Sequence, residues 1–421
     1  MIFALIASRV LSCFFFTIMG GQGWSLLAHI FWPNRGGMKN KIGIYVHIPF
    51  CMAKCRYCDF FSIPVARGSV DESGYASALI SQLESELDIF PIEGREVGSI
   101  YFGGGTPSML SPDFFRSMLD GLAEKFHIVP EAEISCEVNP ATAEAAWFSE
   151  LRSAGINRVS IGVQSFNERN LKILGRIHTP SDAMRAIAQA QDAGFSNLST
   201  DIIYSIPGTS MADLEEDLRL LMMFFPAHVS AYCLNVEEGT QLQKKVLSGE
   251  LKLPSEEEQL KQMRMISRML RRVGWNRYEI SNYAKPEMES RHNVNYWEYG
   301  EYLGLGPSAA SFLMGVKNSF GVRRCVSREI GKYMKGEFLS SEESIHKKQG
   351  ALEFMFMGLR MTRGIELSRF CEIFGGSVDD FYSETLSSLA DRGLILRDEK
   401  RIALTDRGIE ISDQIFSEFA M

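Results

Sequence analysis

Cysteine is scarce in this chain, eight residues in 421, so a scaffold held by disulfides is excluded. An excess of positive charge is also missing. Lysine and arginine number 44 against 52 acidic residues, and the net charge of −8 argues against a broad nucleic-acid surface. The glycine run Gly103 to Ser108 lacks a following Gly-Lys-Ser/Thr, which removes a nucleoside-triphosphate P-loop. One apolar run approaches bilayer length, Met1 to Met19, and Arg9 interrupts it near its centre. No basic stretch precedes it and no small-residue cleavage site follows, so it makes a poor signal peptide. What remains is an ordinary globular composition of 45% hydrophobic and 23% charged residues in 47.3 kDa, enough for one large domain and a smaller one. The 20 methionines are scattered through helical stretches and read as core filling.

The few cysteines are not spread evenly. Cys51, Cys55 and Cys58 form a C-x3-C-x2-C pattern directly after an apolar, β-branched run, Ile42 to Ile48, that predicts a strand. A structural zinc site uses four closed ligands, so three thiols need His47 or a distant residue to complete it. Three thiolates on a four-iron cubane instead leave one iron open.

Strand-like and helical runs alternate from Ile42 onward. The predicted strands are Ile42–Ile48, Val97–Phe102, Ala132–Val138, Arg158–Val163, Asn197–Tyr204 and His228–Leu234. Helices are expected at Glu72–Asp88, Pro112–Phe126, Glu144–Ala154, Ser181–Ala193 and Met211–Phe224, with Gly155 and Gly194 as stops. This α/β pattern predicts parallel units wound right-handed into a partial (β/α)6 TIM-like barrel, two units short of closure. The polar residues fall at strand ends: the cysteine loop, Gly103–Ser108, Glu137 with Asn139, Gln164, Asp201 and Asn235. All converge on one rim. The glycine run is either a backbone edge for a ligand or a plain turn. Glu137 and Asp201 either face a ligand or cap the next helix.

Beyond residue 240 the chain reads as mainly helical, with a helix at Ser255–Val273 and a short extended piece at Tyr278–Tyr283. The hexapeptide His292-Asn293-Val294-Asn295-Tyr296-Trp297 pairs an imidazole with flat aromatic surface; it is either structural or suited to a macrocycle. Residues 345–421 read as a small domain of helices and a hairpin, Leu394–Leu396 against Ile402–Leu404, which suggests a winged helix. Ten basic and thirteen acidic residues after 345 leave no basic recognition stripe, so a lid or partner-docking role is expected rather than DNA binding.

Tyr45-Val-His-Ile-Pro-Phe-Cys51 with Tyr57-Cys-Asp-Phe60 resembles the radical S-adenosylmethionine (SAM) superfamily and, within it, the oxygen-independent coproporphyrinogen III oxidase family. The likeness covers about residues 40–312 with specific motifs, continues more loosely to the C-terminus and leaves 1–37 unmatched. It implies a [4Fe-4S] cluster on Cys51, Cys55 and Cys58, and SAM beside Tyr45, Gly104 and Glu137. Contacts of a second SAM in the oxidase branch map to Tyr57, Gly105, Thr106, Gln164, Arg176 and Asp201; Asn235 and Ala310 fall at two more such positions but differ in residue type. The oxidase carries a further cysteine where this chain has Phe60, the pattern of the family's chaperone branch, whose members bind heme. The resemblance therefore implies heme as cargo, an acceptor protein to receive it, a reductant for the cluster, and His292 as a heme contact. The rival is a radical reaction on a tetrapyrrole. The expected organisation is 38–240 barrel, 241–344 barrel extension and 345–421 winged-helix-like domain, in a cytoplasmic protein. Residues 1–37 are expected to be an appendage upstream of a natural start at Met38, or a membrane tether.

Overall fold

The computed structural model describes residues 41–317 and 319–420. The expectations for residues 1–37 and for Met38 lie outside the described residues.

Six strands lie side by side, parallel and in chain order: β1 (Ile42–Ile48), β2 (Glu96–Gly104), β3 (His127–Val138), β4 (Arg158–Gln164), β5 (Asn197–Tyr204) and β6 (His228–Cys233). Their connecting helices are α1 (Glu72–Ile89), α2 (Pro112–Lys125), α3 (Ala145–Ser153), α4 (Glu168–Leu174), α5 (Pro180–Asp192) and α6 (Met211–Phe224). Helix starts are written into the sequence. Thr179 with Asp182 and Ser210 with Asp213 form reciprocal capping boxes, and each such cap stabilises its helix by about 1 kcal/mol.

The expectation of a mainly helical stretch after residue 240 is corrected. Besides the helices, this region adds six strands to the same sheet: β7 (Asn276–Arg277), β8 (Asn282–Ala284), β9 (Tyr302–Leu305), β10 (Ala310–Met314), β11 (Gly321–Val326) and β12 (Leu339–Ile345). On one side β8 pairs antiparallel with β6 and β7; on the other β9 pairs parallel with β1, and β10 to β12 follow antiparallel. These strands are short or half-polar, so they lack the apolar run that marked the first six. The sheet has twelve strands and does not close.

The two faces of the parallel strands differ in chemistry. Ile42, Ile44, Val46 and Ile48 alternate with Gly43, Tyr45 and His47; Ile100 and Phe102 alternate with Ser99, Tyr101 and Gly103. Since successive side chains point to opposite faces, one face is apolar and packs on the helices, through Leu79, Leu83, Phe115 and Ile187 among others. Burying each such side chain is worth about 1.5–3 kcal/mol, so this face carries the fold. The other face is polar, and its members bond across strands: Tyr101 to Glu137, Ser160 to Asp201 and Ser199 to His228. The barrel interior is thus a polar shaft rather than an apolar plug.

A second apolar core is built on the helices Lys347–Gly358, Leu367–Phe374 and Asp379–Asp391 and on the hairpin Ile395–Arg397 with Arg401–Leu404. It also takes in Tyr278, Trp297, Tyr299, Tyr302 and Phe312 from earlier in the chain. Arg360 packs against this second core: its guanidinium lies 4.5 Å from the Trp297 ring centre and 3.4 Å from Glu279.

Candidate cofactor site at the barrel mouth

The cysteine loop leaves the end of β1 and is tied down at both of its ends. Phe50–Cys51 pairs with Ile63–Pro64, and the Val65 amide donates to the Cys51 carbonyl at 2.8 Å. Midway, Arg56 docks on the C-terminus of α4: its amide donates to Leu174 O at 2.9 Å and its guanidinium to Lys172 O at 2.8 Å. Gly175 ends that helix at φ +73°, where a Cβ would stand 2.8 Å from Arg56 Cγ. Glycine there admits both the left-handed turn and the loop.

Two side chains from the connections after β2 and β4 reach the thiols. Thr106 Oγ1 donates to Cys51 Sγ at 3.2 Å, and Arg176 Nη1 to Cys55 Sγ at 3.6 Å. The second arm of Arg176 donates to Gly162 O at 2.8 Å, and its Nε is buried without a hydrogen-bond partner. Burial raises the Cys51 thiol above its ordinary pKa and pushes Cys58 up to about 12. Burial also raises the Tyr57 phenol, against which the Arg176 charge works.

The donor set fits a cluster better than a single ion. Among the described residues no three His, Cys, Asp or Glu side chains converge on one metal-sized point. His47 is also committed: Tyr45 Oη lies 2.9 Å from its Nδ1, and its Nε2 lies 2.9 Å from the Phe61 carbonyl, which accepts. Burial holds this ring neutral, its pKa lowered to about 4, so Nε2 carries the proton and Nδ1 accepts from the tyrosine. A tetrahedral zinc completed by His47 therefore has no free nitrogen. Three thiols on one short loop, with a hydroxyl bonded to one and a guanidinium to another, suit a multi-iron cluster whose sulfurs are hydrogen-bonded.

The glycine run lies against the root of this loop. The Gly105 amide donates to Ile48 O at 2.7 Å, and a Cβ on Gly105 would stand 2.7 Å from that oxygen. Gly104, at φ +111°, donates its amide to Glu137 Oε2 at 3.1 Å; a Cβ there would fall 2.4 Å from the His47 ring. Glu137 turns into the shaft, accepting also from Tyr101 Oη at 2.9 Å, and caps no helix. Asp201 does the same: Ser160 Oγ donates to both its oxygens at 3.0 and 3.1 Å, and burial raises its pKa to about 6. Gln164 ends β4 at φ +65°, a conformation that a non-glycine residue adopts at a cost of order 1–3 kcal/mol.

The structure thus gathers Cys51, Cys55, Cys58, Tyr57, Gly104, Gly105, Thr106, Glu137, Gln164 and Arg176 around the strand ends, with Tyr45 and Asp201 lower in the shaft. Asn235 is exposed beyond β6, and Ala310 opens β10. Tyr101, Ser160, Arg158 and His228 escaped the sequence reading, although every other residue of each parallel strand being polar was a signal for them.

His292 is elsewhere. It sits on the helix Arg291–Trp297 (α7), under the starts of β1, β2 and β3, about 16 Å from the β1 exit at 3.3 Å per residue. The ring is 1% exposed, with Ser99 Oγ 2.9 Å from Nδ1 and Tyr296 Oη 2.8 Å from Nε2. Both nitrogens are taken. Burial lowers its pKa to about 3, so the ring is neutral.

With the geometry in place, similarity to known proteins places the chain. Residues 45–221 match the radical SAM superfamily and residues 345–411 the HemN C-terminal domain. The heme chaperone HemW of Lactococcus lactis is 33% identical over 90% of this chain and 97% of its own length. The chain belongs to the HemW heme chaperone family. HemW of Bacillus subtilis is 32% identical over 89% of this chain and 98% of its own, and that of Escherichia coli 33% over 87% and 95%. The structure of coproporphyrinogen III oxidase (HemN) from Escherichia coli superposes with a TM-score of 0.75 at 24% identity, covering 90% of each chain. HemW-family sequences and the HemN oxidase thus share one radical SAM fold, and the fold alone does not separate carrying heme from oxidising its precursor.

Proposed function

We propose that this protein is a heme chaperone: it binds heme, holds a [4Fe-4S] cluster through Cys51, Cys55 and Cys58 with SAM beside it, and passes the heme to an acceptor protein. The observation that carries this reading is full-length similarity to HemW proteins from three distant bacteria, together with Phe60 at the position of the oxidase's extra cysteine. When bound, such a cluster supplies one-electron chemistry and an open iron position for SAM.

The chain's own residues would then divide the work. Cys51, Cys55 and Cys58 give up their protons on ligation, against the burial that raises Cys51 and Cys58. Thr106 and Arg176 donate to the sulfurs and offset their charge. Glu137, oriented by Tyr101 and the Gly104 amide, offers carboxylate oxygens to the ammonium of SAM, and Tyr45 stands below it. Tyr57, Gly105, Gln164 and Asp201 line the space alongside. Residues 345–421 form a docking face for the acceptor. All seven described cysteines are unpaired, in keeping with a reducing, cytoplasmic compartment and an electron donor there. No helix of the described residues is long and apolar enough to cross a membrane.

The test uses anaerobically reconstituted full-length protein. Stable hemin binding and transfer to an apo-hemoprotein, without decarboxylation of coproporphyrinogen III in the presence of SAM, is the expected result. Formation of protoporphyrinogen would overturn it.

A further inference from the structure

The hexapeptide His292–Trp297 remains outside the mouth, and its contacts point to a role there at one remove. Three barrel strands hold α7 from above. The Arg291 and His292 amides each donate to Glu133 of β3 at 3.1 Å, and Ser99 of β2 is hydrogen-bonded to His292 Nδ1. In β1, Gly43 leaves the room: a Cβ there would already stand 3.2 Å from Asn295 Nδ2 and 3.5 Å from the imidazole. From below, Arg360 lies over the Trp297 ring.

The imidazole face that looks up the shaft is covered by tyrosines. His292 stacks on Tyr101 with ring centres 5.2 Å apart at 25°, and Tyr45 lies 6.2 Å from Tyr101 and 6.5 Å from His292. Tyr101 carries the hydroxyl that donates to Glu137. A continuous file therefore runs from α7 through His292 and Tyr101 to the carboxylate at the mouth. Its lower members have no slack, because Ser99 and Tyr296 fix the ring plane at both nitrogens.

We propose that His292 is a positioning residue of the SAM pocket: it sets the Tyr101 ring and, through it, Glu137, and heme is carried without its ligation. A buried ring bonded at both nitrogens could take an axial bond only by expelling Tyr296 or Ser99 and opening the floor. The proposal rests on the reading that Glu137 faces SAM.

The experiment uses the reconstituted full-length protein, titrated separately with SAM (calorimetry) and hemin (Soret absorbance). Substitutions at residues that orient a ligand-binding group typically cost about 10–100-fold. His292→Ala and Tyr101→Phe should each weaken SAM about tenfold, and His292→Gln, which keeps a polar bonding partner for Ser99 or Tyr296, should recover most of it. Hemin affinity should stay within about twofold in all three, and the SAM-induced change in the cluster's electron paramagnetic resonance should be lost in parallel with SAM affinity. Loss of hemin binding in His292→Ala with SAM affinity intact would overturn the proposal. So would unchanged SAM affinity in Tyr101→Phe while Glu137→Gln weakens it. If Glu137→Gln itself leaves SAM binding unchanged, the SAM reading of the mouth fails first, and the file has nothing to position. Tyr101→Phe also covers the case in which His292→Ala fails to fold.

Discussion

The two ends of the polar shaft spend their hydrogen bonds differently. At the floor, His292 and His228 each satisfy both ring nitrogens within the protein: His292 on Ser99 and Tyr296, His228 on Ser199 and Tyr278. At the mouth, Arg176 gives one arm to a thiol and one to a carbonyl and keeps a buried Nε unpartnered, while two of the three thiols are raised by burial. A group satisfied internally contributes to stability, and one left unpartnered costs it. Unspent bonds alone do not mark the mouth, since Arg158 Nε, Arg360 Nε and the Trp297 indole N–H near the floor are also buried without a partner; what sets the mouth apart is that its unspent guanidinium stands beside thiols.

The largest effect that would sharpen this contrast is loss of the cluster. Cys51→Ala, Cys55→Ala or Cys58→Ala should each reduce bound iron from about four atoms per chain to near zero, while His292→Ala keeps it. Iron and acid-labile sulfide assays check this. A floor variant that also lost its iron would show that the two ends are not separable.

Acid should attack the floor and the buried rings first. His292 and His178 are lowered to about 3, His47 to about 4, and His228 well below its usual value, all chiefly by burial. A histidine whose folded pKa lies below its unfolded value of about 6.5 binds more protons when unfolded, so stability falls as pH drops through the window from 6.5 to 4. Three buried carboxylates work in the opposite direction: Asp201 and Asp217, both raised to about 6, and Glu86, also raised by burial. Four rings outweigh three carboxylates, and a net loss of roughly a few kcal/mol is expected by pH 4. Urea unfolding across that range measures it, and His292→Gln should flatten the slope by about one proton. An unchanged slope would mean that the ring is protonated in the fold.

The glycines give a smaller and more local comparison. Gly104 combines φ +111° with a Cβ position 2.4 Å from His47, whereas the nearest atom to a Cβ on Gly43 is 3.2 Å away. Gly104→Ala should destabilise by roughly 3 kcal/mol or more and Gly43→Ala by about 1 kcal/mol. Equal losses by denaturant unfolding would place the tight packing at both ends.

These contrasts also explain what could be read in the residues. The six parallel strands were legible because each buries an apolar face, although the third begins at His127 rather than at the expected Ala132, and Gly155 and Gly194 marked where helices stop. The mouth was legible because thiols and glycines carry unusual chemistry in short local patterns. The strands from Asn276 to Ile345 were not, since their pairing partners are strands distant in sequence and their own alternation is weak: β12 reads Leu-Ser-Ser-Glu-Glu-Ser-Ile. The place of His292 was hidden for a different reason. Its motif shows an imidazole among aromatics, which suits a macrocycle and a packed floor equally well, and only the three-dimensional contacts of Ser99, Tyr296 and Tyr101 distinguish the two.

Asp201 provides the finest test, because it belongs to the mouth in chemistry and lies deep enough to be held like the floor. Its carboxylate is raised to about 6 by burial and by the charge of Glu137, against hydrogen bonds from Ser230 and Ser160 and the charge of Arg158. For an acid whose folded pKa exceeds its unfolded value, ionisation opposes folding: the penalty is absent below about pH 4, grows as pH rises toward 6 and is complete above it. Two units correspond to at most about 3 kcal/mol, and relaxation around the site should leave roughly 1–2 kcal/mol. Asp201→Asn keeps an acceptor for Ser160 and removes the charge. The variant should therefore match the parent at pH 4 and exceed it by that amount at pH 7.5 in denaturant unfolding, while binding SAM more weakly if the carboxylate faces the ligand. That pairing of gained stability with lost affinity is what a group retained for binding predicts. A variant less stable than the parent at pH 7.5 would mean that Arg158 and the serines already compensate the charge, and Asp201 would then be grouped with the floor.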